Sequence, residues 1–433
     1  IGSAKFALTF LILINKILLT FFSFQISKNS DLKIISRSLF FLCNFLIFQS
    51  LIDYKPGNGD ILNYRDLSTL LLLIIFPYII IKKKISYLFI FFIGIFSLPA
   101  LFWSLDRGII YNILIFLIIF YLFLVNYISR AILLLSSILL SWLIFSYMLG
   151  SEFNHFLSNS LIIFREINFI HGIIHPIPFS GEQNSTRATK VLLTIILSIF
   201  VSLSLFLKSN RKYNYYLKSI LLLISACCVL SYLTAIGRSD GPHIKNAFVF
   251  PAIFFAIFIL FNFFKFFENK IEKKFFSLNK TRLLISFLII IVFSFNFEIN
   301  IKNISNFKNR LHTYVNLDDS EFITEDYSLF ISKTNQIFEK EECVQLFTNN
   351  AILYYFIRKK SCTKYYFVWA VGSKMVQDDF VKELKNTKFI ITDNNELEND
   401  FSPSYRLPHV KRYIDKNYNE FLSSYKFKIY KKK

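Results

Sequence analysis

Glycine and acidic residues are scarce in this chain, and both scarcities bear on its function. Of the 433 residues 11 are glycine, and 29 aspartates and glutamates stand against 49 lysines and arginines. A phosphate-binding loop needs closely spaced glycines after a strand. The first strand that we predict in the C-terminal part is followed by Thr348-Asn349-Asn350, so we expect no nucleotide site there.

The shortage of acidic residues leaves a formal charge of +20, which could indicate binding to nucleic acid. The distribution of the charge favours membrane topology instead, because cations concentrate in alternate loops between apolar runs. Loops on one side hold 17 lysines and arginines and those on the other hold 9, with Lys16 inside a run. We therefore expect the richer side to be cytoplasmic, and we expect no nucleic-acid partner.

Long apolar runs dominate residues 1–299. Hydrophobic residues make up 54% of the chain, and phenylalanine alone occurs 54 times. Runs near 20 residues in length predict transmembrane helices. We read ten spans, at about 6–26, 36–52, 67–81, 85–103, 108–128, 131–149, 190–207, 219–236, 248–267 and 283–299. The sequence thus predicts a polytopic α-helical membrane domain of about ten transmembrane helices.

Residues 300–433 have the composition of a soluble domain, with 22 basic and 17 acidic residues. Short apolar runs alternate with amphipathic ones, which is typical of an α/β fold with a mainly parallel sheet. We predict strands at Cys343–Thr348, Tyr365–Trp369, Lys388–Thr392 and Tyr425–Tyr430, and helices near Asn350–Arg358, Lys374–Asn386 and Pro408–Asn417. The loop count places this domain on the non-cytoplasmic side, as a structural or substrate-guiding cap.

The five cysteines divide by location. Cys43, Cys227 and Cys228 lie in predicted spans, where they are small apolar residues. Cys343 and Cys362 lie in the C-terminal domain, one in the first predicted strand and one just before the second. Parallel strands joined by a helix can bring such residues close, and an exported compartment is oxidising. We therefore predict a disulfide between Cys343 and Cys362.

A charged turn, Ala235–Ala247, separates two predicted spans on the non-cytoplasmic side. It contains Arg238, Asp240, His243 and Lys245, and ionisable groups at the edge of the hydrocarbon are usually kept for a ligand, an ion or a proton. We interpret Asp240 and His243 as candidate catalytic residues, and Arg238 and Lys245 as candidate substrate-binding residues. The alternative is an ordinary interhelical turn whose charges are solvated.

The external loop 150–189 is too long for a simple connection, and such loops are often functional. Its first part has the amphipathic pattern of a helix lying at the membrane interface. His171 and His175 follow, but Gly172 and Pro176 disfavour the helix that a two-histidine metal site would need. These histidines either line a pocket as hydrogen-bonding groups or are ordinary interface residues.

Two further polar segments lie on the same side. Arg187 and Lys190 begin the next span, where cations suit either a phosphate at headgroup depth or snorkelling anchors. The loop Asp53–Asp66 contains Asp60, Arg65 and Asp66, which either enter a site or are solvated.

These motifs resemble those of the GT-C superfamily of multispanning membrane glycosyltransferases. More narrowly, the chain resembles a bacterial subgroup of that superfamily with a G-R-S-D-G-x-H-I turn, here G-R-S-D-G-P-H-I at Gly237–Ile244, with H-P-I-P-F at His175–Phe179 and an α/β tail in support. The resemblance implies a polyprenyl-phosphate-linked sugar donor and a catalytic acid in the first external loop. That loop is expected to precede Ile1, in a natural N-terminal portion, so no residue here inherits the role.

The preferred reading is therefore a glycosyltransferase of the bacterial inner membrane. It would transfer a sugar from a lipid-linked donor to a cell-envelope acceptor on the non-cytoplasmic face, in contact with membrane lipid. We expect no cofactor, and the sequence leaves open whether the protein uses a divalent metal. A polysaccharide polymerase or ligase would place its chemistry mainly in loop 150–189. A transporter would favour ionisable groups at the bilayer midplane, whereas here they lie at span ends.

Overall fold

The computed structural model describes residues 2–51, 64–81, 85–166, 169–172, 177–181, 185–207, 213–236, 247–270, 306, 308–309, 311–393, 402–424 and 426–433. The first half is helical. Its helices are α1 (Gly2–Lys28), α2 (Ile34–Ser50), α3 (Leu67–Ile81), α4 (Tyr87–Ile95), α5 (Ser97–Trp103), α6 (Leu105–Leu124), α7 (Ile128–Leu149), α8 (Glu152–Arg165), α9 (Ser185–Leu207), α10 (Tyr215–Ile236) and α11 (Val249–Lys270).

Among the described residues, six helices are long and apolar enough to cross a membrane. They are Ser3–Lys28, Leu105–Leu124, Ile128–Leu149, Ser185–Leu207, Tyr215–Leu233 and Val249–Glu268. This supports an integral membrane protein, but the count of ten was wrong. Three other predicted spans are apolar helices of at most 17 residues, namely Ile34–Ser50, Leu67–Ile79 and Tyr87–Trp103. The predicted span 283–299 lies outside the described residues.

The break between α4 and α5 has a local cause. Proline lacks the backbone N–H that would bond to the carbonyl four residues earlier. Pro99 therefore cannot bond to Ile95, and α4 ends at that residue. The carbonyl of Ile95 instead accepts a hydrogen bond from the hydroxyl of Ser141 of α7 over 3.3 Å. A single apolar run read as one span thus becomes two short helices.

Loops on the predicted cytoplasmic side meet one another. The Asn214 side chain donates to the Asp31 carboxylate over 2.6 Å, and the backbone N–H of Lys33 donates to Glu268 over 2.5 Å. Lys265 lies 3.4 Å from the same Glu268 carboxylate. These residues come from three alternate loops or helix ends, as the charge pattern predicts for segments that share a side.

The C-terminal domain is built on a four-stranded sheet. Its strands are β1 (Gln345–Phe347), β2 (Phe389–Asp393), β3 (Tyr418–Ser423) and β4 (Phe427–Lys432), and its helices are α12 (Glu325–Ile337), α13 (Leu353–Ile357), α14 (Lys374–Leu384), α15 (Pro403–Arg406) and α16 (Pro408–Asn417). The strand order is β1-β2-β4-β3. Only β1 and β2 run parallel, and both other pairs are antiparallel. The prediction of a mainly parallel sheet was wrong, because β4 returns as a hairpin beside β3.

Alternate residues of the strands face two separate hydrophobic cores. Phe347 and Ile390 pack in one core with helices α14 and α16. Leu346 and Ile391 point to the other face and pack in a second core with Phe330 of α12. Successive side chains of a strand point to opposite faces. Helices on both faces therefore bury the sheet, and the predicted soluble α/β domain is present in this mixed form.

The predicted disulfide between Cys343 and Cys362 is confirmed. The two sulfurs are bonded, with Cα atoms 5.0 Å apart, and the bridge closes a sequence separation of 19 residues. Residue Cys343 also forms a parallel bridge with Lys360, and Val344 donates to the Lys360 carbonyl over 3.0 Å. The disulfide therefore holds the segment Lys360–Cys362 beside the residues that precede β1.

Removal of this disulfide should destabilise the C-terminal domain. Closing a loop of this length contributes about 3 kcal/mol in the chain-entropy model. We expect Cys343→Ser with Cys362→Ser to lower the melting temperature of the C-terminal domain within the full chain, and reduction of the unaltered protein to do the same. Cys43→Ser, at a free thiol in α2, is the control. Equal melting of the double variant and the control would contradict this prediction.

Candidate functional site

The candidate site residues of the charged turn lie outside the described residues. These are Arg238, Asp240, His243 and Lys245, and the same holds for His175 of the external loop. The ends of the two helices that the turn joins are described, and Ala235 and Ala247 are both buried there. Arg187 and Lys190 are exposed residues in the first two turns of α9. Their assignment as substrate-binding residues stays a prediction.

His171 fastens the external loop to the C-terminal domain. Its Nδ1 lies 2.7 Å from the carbonyl oxygen of Trp369, and its ring meets the Trp369 indole edge to face. Arg406 donates to the His171 carbonyl over 2.8 Å and lies over the Trp369 ring at 4.1 Å. These contacts dock the loop on the C-terminal domain, and the interpretation of His171 as a pocket-lining residue stays a prediction.

Two glycines make this docking possible. The N–H of Gly372 donates to the Ile170 carbonyl over 2.6 Å, and a Cβ atom at Gly372 would overlap the backbone nitrogen of Gly172. Gly172 has φ of +67°, and a Cβ there would overlap the carbonyl oxygen of Arg406. We call this contact, formed by Ile170–Gly172 with Trp369, Gly372 and Arg406, the loop clasp.

Gly372→Ala should therefore open the loop clasp. The overlap is with backbone, which cannot rotate away as a side chain can. Gly150→Ala is the matched control, since Gly150 has φ of +55° but open space around its Cβ position; its expected cost is about 1 to 3 kcal/mol, from backbone strain alone. We expect faster amide hydrogen exchange at 169–172 in Gly372→Ala. Unchanged exchange there would contradict the close packing.

A groove of about 630 Å³ lies between α8 and the C-terminal domain. One wall is the face of α8 that carries His155, Ser158 and Asn159, and the other includes Tyr365, Tyr366 and Phe367. Ile162 of α8 reaches the hydrophobic core beneath α14 and α16, which fixes the two walls together. We call this space the α8 groove. It combines aromatic rings with amide, hydroxyl and imidazole groups.

An ionic cluster forms part of the lining of the α8 groove. Asp379 accepts hydrogen bonds from Lys364 and from the Tyr365 hydroxyl, both over 2.6 Å. These two bonds lower the pKa of Asp379, so the carboxylate stays ionised near neutral pH. Burial alone would lower the pKa of Lys364, but its hydrogen bonds with Asp379 and Glu383 raise it. The cluster therefore offers fixed charges, at Asp379 and Lys364, for binding.

Exposed apolar side chains lie on the side of α8 that faces away from the α8 groove. Leu157, Leu161 and Phe164 form a stripe at helical spacing there, which Phe153 continues towards the start of the helix. Phe153 and Phe156 pack edge to face on Phe145 at the end of α7. The predicted amphipathic helix is thus confirmed as α8. Its apolar stripe suits the membrane interface, which would set the groove at headgroup level.

A buried ion pair joins the starts of α3 and α6. Arg107 Nε lies 2.9 Å from Asp66 Oδ1, and the two side chains are 11% and 6% exposed. Arg65 lies 3.5 Å from Asp106, at 39% exposure of each side chain. Two cations thus balance two carboxylates. The sequence left open whether Arg65 and Asp66 enter a site or are solvated. In the structure they form ion pairs that join the starts of α3 and α6.

Sequence reasoning missed most of the α8 groove. Its walls come from segments about 200 residues apart, and the segment Tyr365–Trp369 was predicted to be a strand. The structure has a short 3₁₀ helix at Val368–Ala370 instead, with Tyr366 and Phe367 exposed. The sequence feature that could have indicated this wall is the run of three aromatic residues, Tyr365–Phe367, directly after Lys364. Among the described residues, no group of three or more histidine, cysteine or carboxylate side chains is arranged to hold a metal ion.

No protein-family model matches this chain, and no curated protein or solved structure does either. The resemblance to the GT-C superfamily therefore stays a prediction from the motifs.

Proposed function

We propose that this protein is a membrane glycosyltransferase that moves a sugar from a polyprenyl-phosphate-linked donor to a cell-envelope acceptor on the non-cytoplasmic face. The α8 groove carries this proposal. Aromatic rings pack against the C–H faces of sugar rings, and the amide, hydroxyl and carboxylate groups beside them can bond to sugar hydroxyls. Tyr366, Phe367, Asn159 and Asp379 supply that set at the edge of the membrane domain.

The location of the groove also favours a substrate that is part lipid and part saccharide. The apolar stripe of α8 would lie against lipid, and the polar wall behind it faces the α/β domain. A prenyl chain could then remain in the bilayer while the saccharide enters the groove. Disulfides persist in oxidising compartments, so the bonded pair of Cys343 and Cys362 supports a non-cytoplasmic position for the domain.

The reaction is a substitution at the anomeric carbon. The bond from that carbon to the phosphate oxygen breaks, and the electron pair leaves on the phosphate. A bond to the acceptor oxygen forms, and a base takes the proton of the acceptor hydroxyl. Cations stabilise the leaving phosphate. Asp240 and His243 are the proposed proton acceptors, and Arg238, Lys245, Arg187 and Lys190 the proposed phosphate contacts.

The test is release of polyprenyl phosphate by the full chain in proteoliposomes supplied with polyprenyl-phosphate-linked hexoses and pentoses and a cell-envelope extract as acceptor. We expect Phe367→Ala, in the groove, to raise the KM for the lipid-linked donor at least about tenfold. Phe421→Ala, at an exposed phenylalanine of β3, is the matched control. No release with any donor, or equal effects of the two variants, would contradict the proposal.

One observation favours a second candidate, a polysaccharide polymerase or ligase. Helix α8 belongs to loop 150–189, where that class would place its chemistry, and it lines the groove. The leaving group separates the two functions. A ligase acting on a diphosphate-linked polymer releases polyprenyl diphosphate, whereas the proposed glycosyltransferase releases the monophosphate. Release of the diphosphate alone would favour the ligase.

The side of the membrane is tested by cysteine labelling of the full chain. Single cysteines replacing the exposed residues Ser423 in the C-terminal domain and Asn154 in α8 should both react with an impermeant maleimide from outside intact spheroplasts. A cysteine at Lys28, at the predicted cytoplasmic end of α1, should react only after permeabilisation. Labelling of Ser423 and Lys28 positions from the same side would contradict the topology.

A further inference from the structure

The volume of the α8 groove exceeds that of one sugar ring. At about 15 to 30 Å³ for each water, its volume of about 630 Å³ holds on the order of 20 to 40 waters. A hexose unit within a chain has about 11 non-hydrogen atoms, each comparable in size to a water, so two to four linked units would fill this space. The α8 wall, from His155 to Ile163, is about 12 Å long at the rise of a helix. The groove therefore has room for a short saccharide chain.

Two aromatic rings of the groove are exposed and can stack on sugars. Tyr366 and Phe367 line the groove and are 64% and 42% exposed. The residue before them, Tyr365, is fixed, because its ring packs on Phe380 at 5.0 Å and its hydroxyl donates to Asp379 over 2.6 Å. This anchor holds the backbone of the exposed pair in place, which lowers the entropy that their binding would cost. Two adjacent rings suit two successive units of a chain.

The α8 wall offers neutral hydrogen-bonding groups along its length. His155, Ser158 and Asn159 are all exposed and lie three and four residues apart, so they share one face of the helix. The Ser158 hydroxyl donates to the His155 carbonyl over 3.0 Å and keeps lone pairs to accept a further bond. The Asn159 amide can both donate and accept. Hydroxyl groups of more than one sugar unit can therefore find partners on this wall.

The charges in and beside the groove balance. Lys364 and Lys382 carry two positive charges, and Asp379 and Glu383 carry two negative ones. Lys364 lies 2.6 Å from Asp379 and 3.1 Å from Glu383, so its charge is already paired. An acidic saccharide would have to compete with these carboxylates and would face Asp379. An uncharged saccharide meets no such conflict.

We propose that the α8 groove binds an uncharged oligosaccharide of two to four units, with Tyr366 and Phe367 as stacking surfaces and the polar face of α8 as the hydrogen-bonding wall. This inference rests on the proposed function and adds the size of the substrate. The saccharide of the lipid-linked donor would be a short chain, and its second and later units would contribute to binding.

The experiment is saturation-transfer NMR on the full chain in lipid nanodiscs, which avoids detergents that carry sugar headgroups. The probes are three series of one to three units: glucose to maltotriose, mannose to mannotriose, and N-acetylglucosamine to chitotriose. Trigalacturonic acid is the acidic probe. We expect the dissociation constant to fall at least about tenfold from one unit to three in at least one series, and the acidic probe to bind more weakly than that trisaccharide.

The variant that tests the stacking surfaces combines Tyr366→Ala with Phe367→Ala. It should remove the dependence of affinity on chain length, because both exposed rings are lost. Tyr405→Ala, at an exposed tyrosine of α15 that does not line the groove, is the matched control and should bind as the unaltered protein does. Equal melting temperatures of the double variant and the control will show that the loss is one of binding.

The inference is overturned if one and three units bind equally in all three series. Tighter binding of the acidic probe, or a length dependence that survives in the double variant, would overturn it as well. The transfer assay separates this inference from the proposed function. Release of polyprenyl phosphate without length-dependent binding would remove the oligosaccharide and keep the transferase, whereas length-dependent binding without release would keep the oligosaccharide site and remove the transferase.

Discussion

Replacement of Arg406 by methionine should release the external loop from the C-terminal domain. The Arg406 side chain is 1% exposed, and its guanidinium donates to the His171 carbonyl over 2.8 Å and to the Asn349 amide oxygen over 2.9 Å. Methionine fills much of the same volume but leaves those two half-buried acceptors without this donor. Each such group costs about 1 to 3 kcal/mol, so we expect a loss of about 3 kcal/mol of docking free energy.

The measurement is limited trypsin digestion of the full chain together with its melting temperature. Arg165 ends α8, and its side chain is already 81% exposed, so cleavage after it depends on opening of the adjacent loop. We expect Arg406→Met to increase the cleavage rate after Arg165 by about 100-fold, which is the 3 kcal/mol expressed as a rate ratio. The matched control is Arg412→Met, at an exposed arginine of α16. Equal cleavage rates in the two variants would show that Arg406 does not hold the loop.

The membrane helices were largely predictable because their signal is local. Apolar runs gave α1, α6, α7 and α9 within a few residues, and the proline in the fourth run marks where α4 stops. Whether an apolar helix is long enough to cross the membrane was less predictable, because α2 and α3 differ from the six candidate spans only in length. The short helices pack against α1 and α6, so tertiary contacts support them where length does not.

The sheet was harder because its order is a long-range property. Strand β3, Tyr418–Ser423, was missed: its residues are mostly polar and exposed, as suits an edge strand. Without β3 the hairpin with β4 could not be inferred, and the strand–helix alternation favoured a parallel arrangement. Strand β2 and helix α16 were predicted nearly to the residue, because β2 is a short continuous apolar run and α16 has a clear helical apolar period.

The same distinction explains the candidate site. The amphipathic pattern of α8 and the chemistry of His171 could be recognised in the sequence, but their partners could not. Trp369, Gly372 and Arg406 lie about 200 residues further along the chain, and nothing local marks them as contacts of the loop. The role of Gly372 in the loop clasp could not be predicted from the sequence, because the reason that a side chain does not fit there is the neighbouring backbone of Gly172.

Asp240→Asn should abolish sugar transfer while leaving the protein folded and inserted. The turn that contains Asp240 connects α10 to α11, whose adjoining residues Ala235 and Ala247 are 6% and 1% exposed. As the proposed proton acceptor Asp240 must be ionised, and the proposed partner that keeps it so is Arg238. The change to asparagine is nearly isosteric but removes the proton acceptor, and we expect release of polyprenyl phosphate to fall at least about 100-fold.

Arg238→Lys tests the proposed contact of the same turn with the donor phosphate. An ammonium keeps the charge but offers no planar fork for two parallel hydrogen bonds, so a bidentate contact predicts a KM for the lipid-linked donor raised about tenfold or more. Ser239→Ala, between the two residues, is the matched control for changes to the turn itself. A solvated ion pair of Arg238 and Asp240 would be worth at most about 1 kcal/mol and would leave transfer intact. Full activity of Asp240→Asn in correctly inserted protein would therefore identify the turn as a connection between helices and remove it from the proposed site.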